Sequence, residues 1–531
     1  MILQPQSIAA ATLPDGASAD CATTTGDATL LPLVTAAEMF PALEEIVLSA
    51  KREVLLAFRI FDARTRLRSD EAKDLGLENW AELLTHVASR GVKIRLLMAD
   101  FDPVFTDNLH RAAWDSAARF TAHLIDHPNA EIICALHDCT PAPLWQWVFA
   151  RQIRARMQKL RDAADDRLTA PQRRALQGEY NLRPVTLHQK FALVDGHEAI
   201  IGGIDVDERR WDDDSHDRPP GETWHDVSLR ITPADRRDAP AIPVIEQIRA
   251  HFSECWNRAR NTCGTVFSAT ASDLPSVTTP RRDEDLHLLR TVSTHRTGAM
   301  TFGPATDIRE HETAHLAAFS KAEHSVYIET QFFRHFPLAQ ALAQRATSEP
   351  DLQMILVTPT EPERMIFGHS SGMDMRHAQA LQLRCLTILR RAFGDRLAVV
   401  SPVQPRPAPE GTPLPVEGSG IIYLHSKVSL VDEKTGIVGS ANLNGRSLLW
   451  DTEASVKFRN PETIRALRQR LATKWLGETP GDPTQAATWV KAAQADADRD
   501  PADRTTMVLP YPEERNRRFA RYVPVLPAAM F

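Results

Sequence analysis

The chain has little of what marks several common classes of protein. Its six cysteines (Cys21, Cys134, Cys139, Cys255, Cys263 and Cys385) form no CxxC pair. Neither a zinc site nor a small disulfide framework is therefore expected, and reduced thiols in a cytosol-like compartment fit better. No apolar run reaches the roughly 18 residues that a membrane span needs. Residues 1–36 lack a basic start and a continuous apolar core, so they do not read as a signal peptide. A basic surplus is missing as well: the net charge is -7 over 531 residues. That argues against a dedicated polyanion binder and leaves only local basic patches open. What remains, 43% apolar and 25% charged, is ordinary globular composition, long enough for two or more domain-sized units.

Periodicity divides the chain in two. The expectation is a flexible tail over 1–30, a first half over 31–263, a linker over 264–285, a second half over 286–480 and a C-terminal tail over 481–531. In the first half a helical pattern from Thr35 to Ala50 leads to the strand-type run EVLLAF. A helix from Trp80 to Arg90 then precedes VKIRLLMAD. In the second half LHLLRTVS, a helix from Glu310 to Ala322, SVYIETQFF, a helix over Leu338–Thr347 and LQMILVTP repeat the theme. Strand–helix–strand order implies parallel pairing and an α/β layer fold. Pro402 to Pro415 reads as a loop too rich in proline for a sheet interior.

The repeat is sharpest in two segments. LHQKFALVDGHEAIIGGIDVDERR and LHSKVSLVDEKTGIVGSANLNGRS align without a gap at an offset of 237. His188, Lys190, Asp195, Gly202 and Arg209 meet His425, Lys427, Asp432, Gly439 and Arg446, while Asp205 meets Asn442. Alternate residues of a strand share a face, so His188 and Lys190 project together, as do His425 and Lys427. A histidine beside a lysine suits a phosphate: the ammonium neutralises an oxygen and the imidazole offers a nucleophile or a proton. One copy supplies half a site. Two facing copies supply a nucleophile and an acid on opposite sides of one phosphorus.

Other residues fit around that centre. Gly202-Gly203 and Gly439-Ser440 allow close backbone approach to a ligand. Ser440, Asn442 and Asn444 are candidate donors to phosphate oxygens. Asp226 (TWHDVSL) and Glu453 (DTEASV) are candidates to orient the histidines, with the pairing between them open. Asp195 and Asp432 are candidates within the motif, at positions where aspartate also commonly begins a turn.

Those two HxKxxxxD segments resemble the phospholipase D superfamily. GGIDVDERRWD with WHDV, LHSKVSLVD with GSANLNGRS, and YIETQFF (Asn being usual where Thr330 stands) are similar to its eukaryotic-like branch. The resemblance runs from about Leu31 to Leu476, with no PX- or PH-like domain ahead of it, which suggests a compact bacterial-type enzyme. It implies two α-β-α sandwich halves sharing one interfacial site, with His188 as the phosphohistidine nucleophile. His425 would protonate the leaving alcohol and then activate water. Lys190, Lys427 and Asn442 would hold the phosphate, and no metal or other cofactor is implied. Asp205 departs from that pattern, because a carboxylate repels phosphate unless it is paired.

By the same resemblance the expected reaction is hydrolysis of glycerophospholipid headgroups to phosphatidic acid, with transfer to alcohols. The alternatives are a phosphatidyltransferase of cardiolipin-synthase type, a nuclease or other phosphodiesterase, or a non-catalytic scaffold. The expected partner is phospholipid at a membrane surface, not nucleic acid. The protein would then sit in the cytoplasm or peripherally on a membrane, or be exported without a cleaved leader. PAPLWQWVFARQIRARMQKLR sets Trp145, Trp147 and Phe149 before Arg151, Arg154, Arg156, Lys159 and Arg161, a composition suited to anionic lipid.

Overall fold

The computed structural model describes residues 22–25, 27–234, 242–277, 283–298, 300–366, 372–478 and 481–531. Two large mixed sheets carry the architecture. In the first, the order is Ala28–Val34, Val227–Pro233, Glu198–Gly202, Phe191–Val194, Glu53–Phe58, Lys93–Ala99, Ala130–Ala135. In the second it is Leu286–Thr294, Glu453–Phe458, Thr435–Gly439, Lys427–Val431, Ser325–Thr330, Gln353–Val357, Leu397–Pro407. Each sheet therefore repeats the other strand for strand, and in both only the last three strands run parallel. Parallel pairing joins Glu53–Phe58 to Lys93–Ala99 and Ser325–Thr330 to Gln353–Val357 across their connecting helices, whereas the motif strands form antiparallel hairpins.

The apolar runs explain the layering. Leu55, Leu193, Ile201 and Leu229 of the first sheet meet Val428, Leu430, Val438 and Val456 of the second in one shared core. The helices Pro243–Arg258 and Pro461–Leu476 seal that core with Phe252, Trp256, Leu471 and Trp475. The alternate residues of the same strands point outward. Val54, Leu56, Ile94 and Leu96 pack under the helices Ala36–Leu48 and Trp80–Ser89. Val326, Ile328, Met354 and Leu356 pack under Phe336–Ser348 and Met373–Phe393. Strands buried on both faces read as continuous apolar runs, which is why EVLLAF and LQMILV were conspicuous.

The unit boundaries differ from those expected. Within 1–30, Thr23–Thr25 and Ala28–Val34 are strands, while 1–21 and 26 lie outside the described residues. Gly264–Val266, placed in the linker, pairs with Ala130–Ala135, and residues 278–282 lie outside the description. The segment expected as a C-terminal tail is part of the second half. Its helix Ala486–Ala497 buries Trp489 in the shared core, and Val508–Pro510 pairs with Leu397–Pro407. Pro402 itself stands in that strand, opposite Val508. The parallel pairing with Gln353–Val357 ends at Val400, so the missing proline N–H costs that ladder nothing.

Candidate active site

Both HxK segments lie where the halves touch. Leu187 bridges in parallel to Thr452, and Tyr423–Leu424 pairs in parallel with Trp224–His225. The His188 N–H donates to the Thr452 carbonyl at 2.8 Å, and the His425 N–H to the His225 carbonyl at 2.8 Å. Each histidine is thus pinned by backbone from the opposite half. The alternation expected of a strand holds: Gln189 turns away to His251, 2.7 Å from its Nε2, and Ser426 turns away to donate to Glu329.

The carboxylates cross between the halves. Nδ1 of His188 lies 3.0 Å from Oε2 of Glu453, and Nδ1 of His425 lies 2.6 Å from Oδ2 of Asp226. That resolves the open pairing: each histidine is oriented by a carboxylate of the other half. Among the described residues neither Nε2 has a hydrogen-bond partner, so both remain available to a ligand. Lys190 Nζ donates to the His188 carbonyl at 2.6 Å. Lys427 Nζ donates to the His425 carbonyl and lies 2.9 Å from its Nδ1.

Burial dominates the protonation of this cluster. It pushes the Asp226 carboxyl up to about 7 and Glu453 up to about 8, against the pull of the lysines. It draws Lys427 down to about 7 and lowers Lys190. Both imidazoles fall well below their usual value, first through burial and then through the neighbouring ammonium groups. Desolvation favours the neutral form of every member, and a bound anion would reverse that for the cations.

Several expected site residues prove to have other work. Asp195 and Asp432 lie at the far ends of the motif strands, about 20 Å of extended chain from the histidines. Both adopt positive φ, 53° and 51°. The Asp195 carboxylate accepts the backbone N–H groups of Lys51, Arg52 and Glu53; Asp432 accepts those of Glu323, His324 and Ser325. They close the turns that follow the motif strands. The Ser440 hydroxyl donates to Glu453. Gly203 spends its N–H on the Val227 carbonyl, and a Cβ there would lie 2.0 Å from Asp226 Oδ1, so its glycine makes room for that carboxylate. Asn444 caps the helix Gly445–Leu449.

Asn442 remains a candidate phosphate donor, buried near Gln331 at 3.4 Å with its Oδ1 unpartnered among the described residues. Asp205 accepts the Ile60 N–H and lies 3.9 Å from Lys190 Nζ. The pairing that a carboxylate needs here is present.

Sequence reasoning missed the surrounding shell. Asp451 accepts the Thr186 N–H at 2.9 Å and the Arg446 guanidinium at 2.8 Å, holding the segment that carries His188. Arg210 stacks 3.6 Å over Trp224, whose ring centroid is 5.1 Å from that of His425. Buried Glu329 ties Tyr327, Ser426, Trp475 and His225 together behind the site. The one available signal was proximity in sequence, since Arg210, Trp224 and Asp451 all adjoin motif residues.

A family model described as "Cardiolipin synthase, PLD-like domain" matches residues 316–475, which contain the second motif. Phospholipase D A of Dictyostelium discoideum is 22% identical over 339 residues, covering 54% of this chain and 25% of that protein. Phospholipase D1 of Saccharomyces cerevisiae is 24% identical over 391 residues, covering 55% and 22%. Phospholipase D gamma 1 of Arabidopsis thaliana is 22% identical, covering 53% and 45%. The match thus spans less than half the length of each of these relatives. Among solved structures, a phosphatidylserine synthase from Haemophilus influenzae aligns over 84% of this chain and 85% of its own, at 14% identity and a TM-score of 0.47.

Proposed function

The chain belongs to the phospholipase D superfamily, and from that premise we propose that it is a phospholipase D acting on glycerophospholipid headgroups. The observation that carries the reading is the crossed arrangement of histidines and carboxylates. Two imidazoles lie at one interface, each held by a carboxylate from the other half, with both Nε2 atoms unengaged among the described residues. This is what an in-line double displacement on one phosphorus requires.

In the first step Nε2 of His188 attacks the phosphorus and the bond to the headgroup oxygen breaks. His425, charged beside the incoming phosphate and braced by Asp226, gives that oxygen its Nε2 proton. Lys190, Lys427 and Asn442 hold the nonbridging oxygens. In the second step neutral His425 takes a proton from water, the resulting hydroxide attacks phosphorus, and His188 leaves. Phosphatidic acid and the free headgroup alcohol are the products. The description of the matching family model favours one second reading, in which an alcohol replaces water as acceptor and the phosphatidyl group is transferred.

The test is incubation of the protein with mixed-headgroup vesicles and a short primary alcohol, followed by mass spectrometry of the lipids. Phosphatidic acid and phosphatidyl-alcohol are expected, with a loss of roughly 10^3-fold or more in both His188→Ala and His425→Ala. Transfer product with no phosphatidic acid would select the second reading. No lipid turnover by the folded protein would overturn both.

A further inference from the structure

Between the strand Ala130–Ala135 and His188 the first half makes a long excursion, whereas the second half passes from Pro407 to His425 far more directly. The excursion contains two consecutive helices, Pro143–Val148 and Ala150–Arg161. The aromatics of the first divide. Trp145 faces inward, its ring centroid 4.7 Å from that of Phe302 and its Nε1 donating to the Met300 carbonyl at 3.0 Å; Phe149 joins the same cluster. Trp147 faces solvent.

An apolar tip results. Leu144, Trp147 and Val148 follow the i, i+3, i+4 spacing of a single helix face, with exposures of 38%, 77% and 45%. Met300, 76% exposed, stands on the loop to which Trp145 is bonded. Single exposed apolar residues are unremarkable, but four together on two linked segments are a surface made to be covered. Directly behind them the helix Ala150–Arg161 exposes Arg151, Arg154, Arg156, Lys159 and Arg161 and carries no acidic residue. In a chain of net charge -7 this concentration of cations is local, and it selects an anionic occupant.

We propose that this tip and the basic helix dock the protein on a bilayer containing anionic lipid, with Trp147 and Met300 inserted and the helix lying along the headgroups. The inference rests on the reading of membrane lipid as substrate and says how that substrate is approached. Aromatic and aliphatic residues beside a cationic helix are the pattern of interfacial binding. The root of the tip also favours it. Phe302 packs in one cluster with Val185 and Trp450. Trp450 adjoins Asp451, which accepts the Thr186 N–H two residues before His188. A tip seated in headgroups would hold the His188 side of the site against the lipid surface.

The experiment is sedimentation with vesicles of phosphatidylcholine alone or mixed with phosphatidylglycerol. It uses the full chain carrying His425→Ala, so that turnover does not alter the vesicles. Binding is expected to rise with phosphatidylglycerol and to fall with salt. Trp147→Ser with Met300→Ser should weaken it by about tenfold or more. Arg154→Gln with Lys159→Gln should weaken binding to mixed vesicles by about fivefold per charge and leave neutral vesicles unaffected.

In the otherwise unmodified enzyme, the Trp147/Met300 pair should lose turnover of vesicles while hydrolysing a dispersed short-chain phospholipid at the wild-type rate. Vesicle binding that is unchanged in the Trp147/Met300 pair, or indifferent to lipid charge, would overturn the docking surface. Failure to hydrolyse even the dispersed substrate would instead strike the catalytic reading, because sedimentation is read without turnover.

Discussion

Glu453 and Asp226 show how one residue's environment sets its use. Each sits in the interior with a histidine on one oxygen, and burial raises both carboxyls, Glu453 to about 8. A carboxyl with a raised folded-state pKa holds a proton that the unfolded chain has released. Its stabilising contribution is therefore present below the ordinary glutamate range and is lost as pH rises toward 8. Lys427, drawn down to about 7, acts in the opposite sense: its contribution is present above the ordinary lysine range and lost as pH falls toward 7. Comparing wild type with Glu453→Gln isolates the first effect, because the amide keeps the shape and cannot ionise. The melting temperature of wild type should fall relative to that of Glu453→Gln between pH 5 and pH 8. Parallel curves would show that Glu453 is ionised throughout. Activity should drop on the order of 10^3-fold in the same variant, as when an orienting carboxylate is neutralised beside a catalytic histidine.

At the scale of elements, the turns after the motif strands separate stability from chemistry. Asp195 and Asp432 each gather three backbone N–H groups from the start of a neighbouring strand, and each accepts a positive φ to do so. Aspartate tolerates that conformation and bonds locally, which suits it to the position. Replacing either by alanine strands those donors, at about 1–3 kcal/mol. The cost should be larger for Asp432, whose partners include buried Ser325, than for Asp195, whose partners Lys51 and Arg52 are exposed. Chemical denaturation should rank them in that order, while turnover per folded molecule stays within a few-fold of wild type. A loss comparable to that of His188→Ala would return these aspartates to the chemistry. The same elements explain what the sequence disclosed. The motif hairpins were legible because their alternation, HxK followed by a buried run, was printed twice without a gap. The carboxylates Asp226 and Glu453 were legible as candidates, but not as counterparts of each other or as crossed partners of the histidines, because they are 227 residues apart while the histidines are 237 apart. The first half carries a longer connection from Glu198–Gly202 to Val227–Pro233 than the second half carries from Thr435–Gly439 to Glu453–Phe458, and a fixed offset slides past the correspondence. The strand through Pro402 and the packing of the helix Ala486–Ala497 into the second half were not legible for another reason: tertiary pairing with Val508–Pro510 and burial of Trp489 hold segments whose local signals are poor.

For the molecule as a whole, duplication places two half-sites face to face and leaves a shared cluster in which burial favours the neutral form of its groups. Lys190 and Lys427 are fully interior, and His188 is the most accessible of the four motif groups at 12% side-chain exposure. Evacuating water from so many ionisable groups pushes cations and carboxyls alike toward their uncharged forms. A doubly charged anion entering between the histidines favours the protonated form of every one of them. It should raise Lys427 from about 7, the histidines from below their usual range, and Asp226 and Glu453 from about 7 and about 8. All these shifts have the same sign, so ligand binding near pH 7.5 must draw protons from solution, and affinity must weaken as pH rises further. Calorimetric titration with sulfate, whose own charge does not change in this range, measures the uptake when run in two buffers of different ionisation enthalpy. Wild type should take up protons at pH 7.5, and Lys427→Met should take up fewer. Net release, or heats independent of buffer, would mean that the cluster is already charged before the anion enters, and that the two lysines wait for phosphate as ammonium ions.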